Sequence, residues 1–99
     1  MPYIPHADRP AIDPAVDALV AAIVADADGT VLSDDERAGR LNYALTRVTN
    51  RVFTMDRYHR AALATGVLEN VKQELYRRAV APYEDAKIAD NGDLAEYRG

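Results

Sequence analysis

The chain reads as all-α, a small helical bundle of three main helices plus a short C-terminal helix, and three observations carry that reading. Apolar residues recur every three to four positions over three long stretches. The breaks between those stretches hold residues that start and stop helices. No segment alternates apolar and polar side chains with period two, and Val31-Leu32 is too short to count as a strand. At 99 residues the chain has the length of a single helical domain, 1–99.

The elements follow in order. Pro2, Pro5 and Pro10 predict an extended N-terminal arm over residues 1–12, because proline lacks an amide donor and biases its predecessor away from helical angles. Asp13-Pro14 reads as an N-cap followed by proline at the first helical position. Val16, Leu19, Val20, Ile23 and Val24 then form the stripe of a first helix ending near Ala27, before Asp28-Gly29. Ser33 with Glu36 is a capping-box pattern opening a second helix, whose stripe is Leu41, Ala44, Leu45, Val48 and Val52.

Asp56 is placed to cap a third helix running to about Ala81, with Ala64, Val67, Leu68, Val71 and Leu75 as its stripe. Pro82 ends or bends that helix, because it cannot donate to the carbonyl four residues back. A short fourth helix, Tyr83 to Asp90, closes at Asn91-Gly92, a left-handed stop. Residues 93–99 read as a flexible tail.

Charge is segregated along the chain. Residues 1–36 sum to −7, residues 37–78 to +6 and residues 79–99 to −3, within a net charge of −4. Nine of the twelve Lys and Arg residues lie in the middle strip, interleaved with Tyr43, Tyr58 and Tyr76, which suits a phosphate-bearing or acidic partner. The acidic ends oppose a polyphosphate rod and no recognition-helix pattern is present, so duplex DNA is not an expected partner. No helix combines a basic face with a large aromatic apolar one, and the longest apolar run is too short to span a bilayer, so no membrane association is expected. The N-terminus lacks a signal-peptide pattern and there are no cysteines, which together predict a cytoplasmic protein.

The sequence points away from catalysis. His6 and His59 are the only histidines and lack metal-ligand spacing, and Asp26-x-Asp28-Gly29 lacks the rest of a calcium loop, so neither metal nor cofactor is expected. There is no Gly-rich phosphate loop, and Ser33, the only serine, is best used as a cap.

Function is therefore sought where the helical pattern breaks. Lys72 falls within the arc defined by Leu68, Val71 and Leu75, with Glu69 and Tyr76 flanking it, and Arg78 at the other edge of the stripe. A lysine there snorkels, pairs with Glu69 three residues before it, or points into a polar pocket. On the second helix Arg40, Tyr43, Arg47, Asn50 and Arg51 share one polar face, and Tyr43 and Arg47 are four apart, close enough for the guanidinium to stack on the ring. Arg78 near the Pro82 bend is expected to be buried and to anchor it by pairing with Glu84 or Asp85.

These positions also carry a resemblance. Met1-Pro2-Tyr3-Ile4, Leu41-Asn42-Tyr43 with Thr46-Arg47, the run from Gly66-Val67-Leu68-Glu69 through Lys72 to Tyr76-Arg77-Arg78, and Pro82-Tyr83-Glu84-Asp85 through Asn91-Gly92-Asp93 resemble a family of short uncharacterised bacteriophage and bacterial proteins. The similarity covers the first four residues and most of the chain from Leu41 onward, and leaves out the Asp- and Ala-rich segment 25–39. It implies a compact helical protein of viral or mobile-element origin, with no reaction attached.

Two functions are expected of such a chain. One is a non-enzymatic anti-defence protein that sequesters a small nucleotide-like anion of the kind used as an immune signal, at the interface of a homo-oligomer in the host cytoplasm. Asn42, Tyr43, Arg47, Glu69, Lys72, Tyr76 and Arg78 would be its ligand-binding residues. The alternative is an interaction module that blocks or recruits a host protein through the basic Tyr/Arg helix face.

Overall fold

The computed structural model describes residues 3–98. Among them the fold is all-α: α1 (Asp13–Val24), α2 (Asp34–Val52), α3 (Tyr58–Leu75) and α4 (Ala81–Asn91), with no strand. The chain divides into two units, residues 3–61 and 62–98, each described by itself.

The first unit opens differently from the extended arm that its prolines predict. His6–Ala11 is a 3₁₀ helix: Pro5 accepts from the Asp8 amide at 3.0 Å, and Pro10 sits inside the helix, where its fixed φ is already helical. The first two residues of the predicted arm lie outside the described residues. Because Ile12 is itself helical and accepts from the Ala15 and Val16 amides, the 3₁₀ segment runs straight into α1. Asp13 thus falls in the first turn rather than at the N-cap, with Pro14 in the first turn as expected.

Three residues earlier than its predicted end, α1 stops at Val24, because the chain turns back at once. Ala25 and Val31 form an isolated antiparallel bridge, Asp26 N–H donates to the Thr30 carbonyl, and Leu32 N–H donates to the Val24 carbonyl, each at 2.9 Å. Gly29, at φ +88°, takes the left-handed position that this tight reversal needs. Leu32, at the end of the turn, is one of two buried residues among those described.

The capping box forms as its residues predict. Ser33 Oγ accepts from the Glu36 amide, and Glu36 Oε1 accepts from the Ser33 amide, both at 3.2 Å. The helix it opens carries three acidic residues in its first turn and Arg51 in its last, matching the helix dipole at both ends. Asp56 is committed elsewhere: its carboxylate accepts from the Thr54 hydroxyl at 3.0 Å and pairs with Arg60 at 3.5 Å, and Arg60 also bonds Thr54. α3 begins two residues later, at Tyr58.

In the second unit α3 does not run unbroken to Ala81. Residues Tyr76–Val80 form a π turn, in which the Ala81 amide reaches back five residues to the Tyr76 carbonyl. Pro82 supplies the reason, since it has no N–H to give the Arg78 carbonyl and its ring crowds that oxygen in a tighter turn. The proline then occupies the first turn of α4, where a missing donor costs nothing. Gly92 stops α4 at φ +89°, its amide on the Ile88 carbonyl at 2.8 Å, as Asn91-Gly92 predicts. The predicted tail contains a 3₁₀ turn, Ala95–Tyr97, and Arg98 donates to the Asp93 carbonyl at 3.0 Å; Gly99 lies outside the described residues.

Ala64 of α3 is the second buried residue. Ile23 and Val24 on α1 and Ala44 on α2 are half-buried, and the rest of the helical stripes is exposed, including Val16, Leu19 and Val20 on α1, Leu41, Leu45, Val48 and Val52 on α2, and Leu68, Val71 and Leu75 on α3.

Candidate functional site

Of the seven sequence-derived binding residues, Asn42, Tyr43 and Arg47 belong to the first unit and Glu69, Lys72, Tyr76 and Arg78 to the second. On α2, helical spacing brings Tyr43 and Arg47 together as expected. Arg47 donates to Tyr43 Oη at 3.2 Å, and its guanidinium carbon lies 5.8 Å from the ring centroid. Asn42 sits a quarter turn away, and its backbone carbonyl accepts from the Thr46 hydroxyl at 2.8 Å.

The rest of that polar face divides into engaged and uncommitted groups. Arg40 donates to the Ala22 carbonyl at 2.9 Å and pairs with Asp26 at 2.6 Å, so it caps the C-terminal end of α1. Asn50 is tied back to the Thr46 carbonyl at 2.7 Å. Arg51 is exposed and forms no ion pair with any described residue. An exposed aromatic ring and two uncompensated guanidinium groups remain.

In the second unit Lys72 takes the second course open to it, the pairing with Glu69. Its ammonium is 3.2 Å from Glu69 Oε1 and its side chain is 72% exposed. Glu69 also accepts from Gln73 at 3.1 Å, and these two contacts, Gln73 first, hold its carboxyl below the usual range. Tyr76 donates its hydroxyl to Glu84 Oε2 at 2.8 Å across the π turn. Losing that proton would set a phenolate against a carboxylate, so the Tyr76 pKa is raised.

The expected anchor at the bend is corrected. Arg78 is exposed and pairs with no described residue, while Tyr76 holds Glu84 and Arg77 holds Glu74 at 2.6 Å. The wider π turn changes the angular position of everything after Tyr76, so a wheel drawn at 100° per residue misplaces Arg78. Sequence reasoning also missed Arg37, whose Nε donates to the Leu32 carbonyl at 3.1 Å, and the role of Arg40 as a cap. Only the basic composition after Ser33 hinted at either.

Among the described residues no group of three or more His, Asp or Glu side chains is placed to hold a metal ion. No helix among them is long and apolar enough to cross a membrane. With this geometry in view, the comparison with known families is decisive on one point: a family model described as a domain of unknown function, DUF6899, matches residues 1–94. The chain belongs to that family. Its match includes segment 25–39, so the turn between α1 and α2 and the capping box belong to the family domain as well. No curated protein and no solved structure matches the chain.

Proposed function

We propose that this DUF6899 chain is a non-enzymatic association module, phage- or prophage-encoded and acting in the host cytoplasm, that binds an acidic protein surface through Tyr43, Arg47 and Arg51. The observation that carries the reading is the uncompensated state of this face: Arg47 rests on an exposed tyrosine and Arg51 has no acid beside it among the described residues. Tyr and Arg are the side chains that concentrate binding energy at protein interfaces, where a pre-oriented guanidinium loses little entropy on docking. Lys72 and Tyr76, by contrast, are satisfied by Glu69 and Glu84 within their own unit. That favours a protein partner over a small ligand held by all seven residues.

A second reading rests on the same pair. Tyr43 with Arg47 is also a stacking platform with a cation beside it, which suits a nucleotide-like anion. One experiment separates the two: titration of acidic helical peptides, alongside a thermal-shift panel of linear and cyclic nucleotides and ADP-ribose derivatives. Peptide binding that falls at least about tenfold in Tyr43→Ala and Arg47→Ala, without a nucleotide shift, supports the protein interface. A nucleotide shift lost in Arg47→Ala supports sequestration and overturns it.

A further inference from the structure

We infer that the Tyr43 face of α2 binds the same face of a second copy of this chain, the two α2 helices crossing antiparallel about a two-fold axis at Tyr43. This rests on the reading of that face as a protein interface and names its partner: the acidic surface is the first turn of the other copy's α2.

A helix presents ridges along rows of residues four apart, and the row through Tyr43 runs Asp35, Gly39, Tyr43, Arg47, Arg51. It lies wholly within α2 and rises about 24 Å from end to end. All five residues are exposed. Asp35 and Arg51 form no ion pair with any described residue, and Arg47 rests on the Tyr43 ring and hydroxyl without an acid beside it. The polar residues on either side are already committed within the chain: Glu36 to the capping box, Arg40 to the end of α1 and Asn50 to the Thr46 carbonyl.

Charge chooses the occupant. The row is acidic at its first position and basic at its last two, with the tyrosine at its centre. A two-fold interface requires the surface to complement itself, so that what one copy offers the other receives. Positions 35 and 51, and positions 39 and 47, are each centred on residue 43. An antiparallel crossing there sets each Asp35 opposite Arg51 of the other copy, the two Tyr43 rings side by side, and each Arg47 over the other copy's Gly39.

Gly39 is an independent observation in favour of this register. A glycine inside a helix is destabilising relative to alanine. A Cβ at Gly39 would meet nothing within 4 Å, so packing within the chain does not call for glycine there. The helix dipole accounts for the signs of Asp35 and Arg51, but not for an open glycine one turn before an exposed tyrosine. A second copy supplies the reason, because the missing side chain leaves room for an arginine to lie along α2.

The test is the molar mass of the full chain by light scattering across a dilution series. The unmodified chain is expected to be a dimer, and Asp35→Arg and Arg51→Asp should each raise its dissociation constant at least about tenfold, because each sets like charges opposite one another twice per dimer. Together the two substitutions restore the pairing with its polarity reversed, so the double variant should return to within about threefold of the unmodified chain. Gly39→Arg fills the gap and faces Arg47 of the other copy, and should leave a monomer. Arginine forms helix better than glycine, so this variant carries the test where circular dichroism shows that a charge reversal has prevented folding.

A monomer at all concentrations overturns the pairing, as does a dimer indifferent to Gly39→Arg or a folded double variant no tighter than its singles. Acidic-peptide binding that depends on Arg47 in a monomeric chain overturns the self-pairing alone and leaves the Tyr43 interface standing. A chain in which neither the dimer nor peptide binding depends on Arg47 overturns both.

Discussion

The turn from α1 into α2 and the junction from α3 into α4 both redirect a helical chain, by opposite means. The first reverses direction within a few residues and secures each step: Gly29 takes the left-handed position, Thr30 N–H bonds the Asp28 carboxylate at 2.9 Å, Ser33 and Glu36 close a box, and Leu32 is buried. The second keeps the helical path and widens one turn, with the Ala81 amide on the Tyr76 carbonyl and one side-chain bond across it, from Tyr76 to Glu84. Redundant local contacts make a fixed corner, whereas a single exposed pair makes a junction that can loosen while its helices persist.

The largest test of this contrast is Leu32→Ala. Removing a buried leucine should cost about 2–3 kcal/mol in urea denaturation, with amide exchange rising around Asp26 and Leu32. Equal loss of protection at the Ala81 amide would break the comparison. Ser33→Ala comes next, at about 1 kcal/mol for one lost cap, and Ser33→Asp should recover most of it. A loss below the error of the measurement would mean that the remaining bonds of the corner make the box dispensable.

The smallest effect sharpens the contrast through pH. The Asp28 carboxyl is held below its ordinary 3.8 mainly by the Thr30 amide, so its contribution to the corner is present above that value and fades as pH falls through the lowered one. Tyr76 is shifted the other way: raised above 10.0 by Glu84, it supports the junction below pH 10 and ceases to do so as pH climbs through the raised value. The corner should therefore loosen in acid and the junction in alkali. Amide exchange at Ala81 measured against pH checks the second half, and Tyr76→Phe should abolish its alkaline limb.

What was legible in the sequence follows the same division. Ser33 with Glu36, and Asn91 before Gly92, act through bonds to their immediate neighbours, so spacing alone locates them. The 3₁₀ segment at His6–Ala11 was misread because proline excludes some conformations without choosing among those it permits. The π turn was announced by Pro82 alone, and one residue signals a disturbance but not its form. Among the site residues, Tyr43 and Arg47 were legible because both ends of the contact lie on one helix. The Lys72–Glu69 pair was legible for the same reason, three residues apart on one helix, whereas the apolar arc around Lys72 gives direction without stating whether anything packs there, and the lysine lies in the open.

The widened turn also sets how this chain tolerates changes of length. A π turn accommodates one residue more than an α turn, and a residue is worth ~100° of helical rotation. Removing one residue between Tyr76 and Val80 would let the turn tighten to an ordinary α turn, so Tyr83, Lys87 and Ile88 would keep their direction relative to Leu68, Val71 and Leu75, whereas a deletion elsewhere in α3 would swing them through about a quarter of a circle. At this point a deletion shortens the chain without re-aiming the surface that follows.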